Sequence, residues 1–83
     1  MAYNISYKAS VQRDLKKLSK AEARRILDEI EKTLSKKADT YPALKGEFAG
    51  LRKFRVGNYR VIFAILHEDV VVLKIGDRKD VYK

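Results

Sequence analysis

The chain has 83 residues, 19 of them Lys or Arg and 11 Asp or Glu, which gives a formal net charge of +8 at pH 7. This length supports a single domain, over residues 1–83, with one modest hydrophobic core. The absence of cysteine excludes disulfides, zinc sites with thiolate ligands and thiol nucleophiles. The positive charge favours a polyanionic partner, although charge of this size also serves solubility.

Targeting signals and membrane spans are not expected. The N-terminal residues lack the basic and apolar segments of a signal peptide, and nowhere do about 18 apolar residues follow one another. The single histidine, His67, excludes a metal cluster built mainly from imidazoles and a catalytic pair of histidines. We therefore expect a cytoplasmic protein without a membrane partner.

The N-terminal half is predicted to hold one strand and two helices. Apolar residues alternate with polar ones over Tyr3–Tyr7, which is typical of a half-buried strand. Helical spacing of apolar residues over about Ala9–Leu18 predicts a short amphipathic helix whose polar face is basic. Ser19 and Glu22 form a capping box that begins a longer helix, which we expect to end near Lys37.

The C-terminal half is predicted to be a meander of three strands. The connection over residues 38–50 contains Pro42 and two glycines. After it, segments rich in Val, Ile, Phe and Tyr are separated by the turns Gly57-Asn58 and His67-Glu68-Asp69, and they are Leu51–Val56, Tyr59–Leu66 and Val70–Ile75. The element order β-α-α-β-β-β indicates an α+β fold, with two N-terminal helices packed on one face of an antiparallel sheet.

Side-chain alternation predicts a cationic surface on the face that the helices leave uncovered. Successive strand residues point to opposite sides of a sheet. If Phe54 and Phe63 enter the core, Lys53, Arg55 and Arg60 lie together on the other side. No acidic residue occurs between Gly50 and His67 to neutralise them. An anion such as an RNA backbone would do so.

The same alternation predicts an apolar strip beside these cations. With Val71, Leu73 and Ile75 assigned to the core, the residues expected on the uncovered face are Ile62, Ala64, Leu66, Val70 and Val72. Contiguous exposed apolar patches usually mark interfaces. We expect either a protein partner or part of the C-terminal segment to cover this strip. An acidic amphipathic segment that folds on binding would suit both the strip and the positive charge.

The C-terminal residues 76–83 extend the last strand and add candidate site residues. They can bring Arg78 and Tyr82 to the cationic edge, where the ring of Tyr82 would offer a surface for an unstacked RNA base. The further cations that we expect to contact RNA are Arg52, Lys45, Lys74 and Lys79.

The chain resembles the RelE/ParE superfamily of toxins. The most specific block is Arg55-Val56-Gly57-Asn58-Tyr59-Arg60-Val61, within a similar stretch over residues 44–63, and the ending over residues 77–82 is similar as well. The resemblance follows the element order of the whole chain. It implies a toxin that is silenced by an acidic, RelB-like antitoxin and that cleaves mRNA on the ribosome without a metal or other cofactor.

The resemblance also implies a role for each site residue. The ribose 2′-hydroxyl attacks the neighbouring phosphate, and a cyclic phosphate and a 5′-hydroxyl result. Arg60 is similar to the arginine that stabilises charge on the phosphate, and Arg78 to the one that assists the leaving oxygen. Lys53 and Arg55 match the basic pair of the preceding strand, and Tyr82 matches the tyrosine that stacks on the substrate base. Fixed cations around the phosphate would stabilise the transition state electrostatically.

Two alternatives remain open from the sequence. One is a ParE-like inhibitor of DNA gyrase, which shares the fold but lacks the basic catalytic set. The other is a catalytically inactive binding module, because Asp77 stands where many family members have a histidine. The nuclease is favoured by the presence of the whole basic set with its tyrosine, namely Lys53, Arg55, Arg60, Arg78 and Tyr82.

Overall fold

The elements of the fold follow the predicted order and confirm the α+β class. The computed structural model describes residues 2–43 and 50–77. The strands and helices are β1 (Asn4–Tyr7), α1 (Ala9–Lys16), α2 (Lys20–Glu29), β2 (Arg52–Val56), β3 (Tyr59–Leu66) and β4 (Asp69–Asp77). Beyond α2 the chain stays helical through a π-helical turn, one α-helical turn and a 3-10 turn, which are Ile30–Leu34, Ser35–Lys37 and Ala38–Thr40. None of these helices is long and apolar enough to cross a membrane.

Local signals in the sequence set the ends of several elements. The backbone N–H of Glu22 donates to Ser19 Oγ at 3.2 Å, so the predicted cap of α2 is confirmed. Gly57 has a φ of +58° at the first position of the turn between β2 and β3. This left-handed value suits glycine, and two-residue turns of this kind match the twist of a hairpin.

The sheet is mixed rather than wholly antiparallel, and this corrects the sequence prediction. Its strand order is β1-β4-β3-β2, in which β1 runs parallel to β4 and the other pairs are antiparallel. Parallel neighbours need a long crossover connection. The helices and the two hairpins supply it, since the first strand pairs with the last.

The hydrophobic core lies between the helices and one face of the sheet. The helices contribute residues that are at most 1% exposed, namely Val11, Ile26, Ile30 and Leu34. They pack against strand residues of the same face, which include Phe54, Val56, Val61, Phe63, Val70, Val72 and Ile75. The opposite face of the sheet has no helix over it among the described residues, as the sequence predicted.

A β-bulge in β4 changes which of its residues face the core. Ile62 pairs with Lys74, whereas Phe63 pairs with Val72, so Leu73 is an extra residue in the ladder. An extra residue reverses the alternation on one side of a bulge. Val70 and Val72 are therefore 0% exposed beneath the helices. The prediction that they lie on the uncovered face is wrong, because it assumed unbroken alternation back from Ile75.

Helix α1 closes the outer edge of β4 beyond the end of β1. Strand β1 pairs with β4 only as far as Val72. Past that point the hydroxyl of Ser10 donates to the carbonyl of Leu73 at 3.5 Å, and Asp14 Oδ2 accepts from the backbone N–H of Ile75 at 3.1 Å. These contacts satisfy backbone groups that would otherwise form an open strand edge.

We expect Asp14→Ala to lower the free energy of unfolding by about 1–3 kcal/mol, because it removes the acceptor of a part-buried N–H. Urea unfolding followed by circular dichroism measures this change. Asp28→Ala is the matched control, since Asp28 is exposed on α2, and it should change stability by no more than about 0.5 kcal/mol. Equal effects of the two substitutions would contradict a role for Asp14 at the strand edge.

Candidate functional site

Three cations share the helix-free face at the hairpin formed by β2 and β3. Arg55 pairs directly across the ladder with Arg60, and Lys53 pairs with Ile62, so all these side chains leave the same side of the sheet. The sequence predicted this placement of Lys53, Arg55 and Arg60. Like charges that face each other across strands destabilise a sheet. A bound anion would relieve that repulsion.

The cations open into one cavity of about 380 Å³ at the edge of the sheet. Its described lining residues are Tyr41, Pro42, Lys53, Phe54, Arg55 and Arg60. The lining thus combines positive charge with rings. A volume of this size falls within the usual range of small-ligand pockets, roughly 300–1,000 Å³.

Local contacts and burial hold the cations in place. Arg55 Nε donates to the carbonyl of Gly57 at 3.1 Å, which directs its side chain along the turn. Arg60 is half-buried on the inner strand β3, and its Nε is buried. Among the described strand residues, Asp69 is the acid on this face, where it pairs with Leu66, whereas Asp77 pairs with Tyr59 on the other face, next to the partner of Arg60. Leu66 lies roughly 20 Å along β3 from Arg60. The field in the cavity therefore favours an anion.

Arg52 does not belong to this cationic group. It pairs with Phe63 and so leaves the opposite face of β2. Its Nη1 donates to the carbonyls of Tyr41 at 2.6 Å and Asp39 at 3.3 Å. Its guanidinium therefore fastens the connection before β2, and the contact of Arg52 with RNA stays a prediction.

Of the other cations that the sequence predicted at the site, only Lys74 lies within the described residues. Lys74 is exposed and pairs across the ladder with Ile62, so it lies on the helix-free face. The remaining predicted site residues fall outside the described residues, and they are Lys45, Arg78, Lys79 and Tyr82.

The apolar strip is smaller than the sequence predicted. Leu66 is 58% exposed, and Ala64 is half-buried beside it on the helix-free face. Ile62 lies on this face but is only 3% exposed, contrary to prediction. It sits in the middle of the sheet between Lys53 and Lys74, long side chains whose stems can cover an apolar neighbour. Because of the bulge, Val71 takes the position predicted for Val72 and pairs with Ala64.

His67 lies in the turn between β3 and β4, as expected for a turn residue. It is exposed and has a φ of 58°. Leu66 and Asp69 pair on either side of it, so the turn itself consists of His67 and Glu68.

Tyr41 is the cavity residue that the sequence reasoning missed. It follows the 3-10 turn and has extended backbone angles, φ −84° and ψ 146°. The signal was present, since the residue before a proline is biased towards this conformation, and Pro42 is the only proline in the chain. Burial, and after it the charge of Glu29, raises the pKa of the Tyr41 phenol. The ring is therefore uncharged at neutral pH.

Comparison with known proteins identifies similar chains over nearly the full length. A family model described as the ParE toxin of the type II toxin-antitoxin system parDE matches residues 5–82. The toxin-antitoxin complex RelBE2 of Mycobacterium tuberculosis contains a chain that is 28% identical, with a TM-score of 0.88 over 96% of this chain and 95% of that one. No curated protein matches.

Two further structures extend the comparison. The archaeal RelE-RelB complex of Pyrococcus horikoshii OT3 has a chain that is 28% identical, with a TM-score of 0.68 over 96% of this chain and 99% of that one. The chromosomal ParDE system of P. aeruginosa has one that is 14% identical, with a TM-score of 0.72 over 92% of this chain and 96% of that one. At that identity the likeness to the ParDE system concerns the fold alone.

Proposed function

We propose that this chain, which belongs to the ParE toxin family of type II toxin-antitoxin systems, in the RelE/ParE superfamily, acts by cleaving mRNA on the ribosome. The family membership confirms the resemblance that was carried by the block Arg55–Val61. The observation that carries the proposed activity is the single cavity lined by Lys53, Arg55 and Arg60 on the helix-free face.

The proposed reaction is an internal transfer at one phosphate. The 2′-oxygen of the ribose forms a bond to phosphorus, and the bond from phosphorus to the 5′-oxygen of the next nucleotide breaks. The 2′-hydroxyl loses its proton and the leaving oxygen gains one, so the products are a cyclic phosphate and a 5′-hydroxyl. Negative charge increases on the phosphate oxygens as the bond forms. Cations fixed before the reaction stabilise that charge without reorganising.

Each basic residue has a role in this proposal. Arg60, on the inner strand and half-buried, stabilises the phosphate charge where water screens it least. Lys53 and Arg55, on the edge strand, hold the phosphate from the outer side. From the resemblance, Arg78 assists the leaving oxygen and Tyr82 stacks on a substrate base. Lys45, Lys74 and Lys79 are proposed to contact the RNA backbone.

Inhibition of DNA gyrase is the second candidate, and the match to a ParE family model favours it. Two assays run side by side with the same purified toxin separate the candidates. One measures cleavage of mRNA on programmed ribosomes, and the other measures supercoiling by gyrase. We expect cleavage without inhibition of supercoiling. Inhibition of supercoiling without cleavage would overturn the proposal, and failure in both assays would indicate an inactive binding module.

We further propose that an acidic, RelB-like antitoxin binds the helix-free face. Leu66, Ala64 and Val71 supply the apolar contact, and the net charge of +8 complements an acidic segment. A segment that also reached Lys53, Arg55 and Arg60 would occupy the anion site directly. Complexes of toxins with antitoxins among the similar structures are consistent with such a partner.

We expect Leu66→Asp to weaken antitoxin binding by about tenfold, or ~1.4 kcal/mol, because it removes an apolar contact and places a negative charge against an acidic partner. Calorimetric titration with the antitoxin measures the change. Leu66 is exposed but pairs with Asp69, so the new pair of carboxylates should lower toxin stability by no more than about 1 kcal/mol, which urea unfolding measures. His67→Asp is the matched control because it adds the same charge in the next position without loss of an apolar group. If both variants bind alike, Leu66 makes no apolar contact with the antitoxin.

A further inference from the structure

The cavity that holds the cations also has an aromatic wall. Tyr41, Pro42 and Phe54 line it together with Lys53 and Arg55. A phosphate alone needs only the charged side. A nucleotide presents a charged phosphate and a flat apolar base a short distance apart, and proteins that hold single-stranded RNA combine cations with aromatic stacking surfaces.

The ring of Tyr41 is held by packing on two sides. Its centroid lies 5.0 Å from that of Phe54 at an interplanar angle of 69°, and 6.4 Å from that of Phe63 at 83°. These edge-to-face arrangements are favourable for aromatic pairs. In neither pair does one ring lie flat on the other. Tyr41 remains half-buried and lines the cavity, so part of its ring is accessible there.

The backbone of Tyr41 is fixed to the strand that carries the cations. Its carbonyl accepts from Arg52 Nη1 at 2.6 Å, and the next carbonyl, of Pro42, accepts from the N–H of Lys53 at 3.4 Å. Ala43 forms a bridge with Arg52. The segment that carries Tyr41 is thus attached by several contacts to β2, the strand of Lys53 and Arg55.

We propose that Tyr41 is a base-binding residue, whose ring stacks on an RNA base next to the phosphate held by Lys53, Arg55 and Arg60. This inference rests on the proposed nuclease function and deepens it. Stacking on a flat ring favours the larger π-face of a purine over that of a pyrimidine. Tyr41 therefore gives the toxin a preference for a purine at one nucleotide beside the cleaved bond.

The test compares Tyr41→Leu with the wild type on programmed ribosomes, for mRNAs that carry a normal or an abasic nucleotide on either side of the cleaved phosphate. For the wild type, removal of one of the two bases should lower kcat/KM by about tenfold or more. On the intact mRNA, Tyr41→Leu should lower kcat/KM by a similar factor. On the mRNA that lacks this base, the variant should have the same kcat/KM as on the intact mRNA. Tyr41→Phe should behave as the wild type, since the ring is kept.

The controls separate stacking from stability. Leucine still packs against Phe54, and thermal unfolding shows whether Tyr41→Leu folds at the assay temperature. Tyr3→Leu changes another half-buried tyrosine packed on the core, and it should leave the dependence on the base unchanged. The inference is overturned if Tyr41→Leu cleaves as the wild type does, or if it loses the same factor on intact and abasic mRNA. No cleavage by the wild type would overturn the proposed function, and this inference with it.

Discussion

Arg60→Ala is expected to slow mRNA cleavage on programmed ribosomes by about 100- to 1,000-fold, which is the usual cost of removing one preorganised group that stabilises a transition-state anion. Arg60 lines the cavity from the inner strand, where its half-buried charge is better shielded from water than that of exposed Arg55. Single-turnover cleavage rates measure the effect on the chemical step.

Two controls make this result specific. Arg24→Ala removes an exposed arginine from α2, on the other side of the sheet, and should leave the rate within about twofold of the wild type. Arg60→Lys keeps the charge but loses the planar, forked donor group, so we expect only partial recovery. Full activity of a folded Arg60→Ala toxin would refute the role of this residue in the proposed reaction.

Val72→Asp is expected to destabilise the toxin by several kcal/mol, whereas Val71→Asp should cost about 1 kcal/mol or less. Val72 is 0% exposed in the core, and a carboxylate there would be buried without a partner. Val71 lies on the helix-free face beside Ala64 and Ser6. Thermal and urea unfolding of the two variants measure the difference between adjacent positions of one strand.

The milder pair Val72→Ala and Val71→Ala keeps this test decisive if the charged variant fails to fold. We expect the same order, with a loss of about 2 kcal/mol or more only for Val72, since truncation leaves a cavity in the core. A larger effect at Val71 than at Val72 would contradict the bulge at Leu73. It would instead place Val71 in the core and Val72 on the helix-free face, as unbroken alternation predicts.

Much of the fold follows from local patterns. Ser19 and Glu22 mark the beginning of α2, and Gly57-Asn58 sets the register that brings Arg55 opposite Arg60. Each of these signals acts over a few residues, so the sequence alone is sufficient to predict them. The direction of β1 is different, because alternation over Tyr3–Tyr7 is equally compatible with parallel and antiparallel partners.

The errors at the site arise from events that leave no local signal. A bulge adds one residue, and Val-Val-Val-Leu in β4 offers no glycine or proline to mark it. Arg52 and Lys53 are adjacent cations in the sequence, yet one bonds to backbone carbonyls and the other lines the cavity. Which of two adjacent cations has a structural role depends on the backbone carbonyls that the tertiary fold brings close to its side chain.

The pairing of β1 with β4 determines the order in which the strands can pair during synthesis of the toxin. The first strand to leave the ribosome has no partner until the last strand follows it, whereas the two hairpins need only neighbouring segments. We expect the meander to form first and β1 to dock late. The helices cannot complete their core until Val70 and Val72 arrive. A nascent chain of this toxin is therefore expected to lack a complete core until β4 has been synthesised.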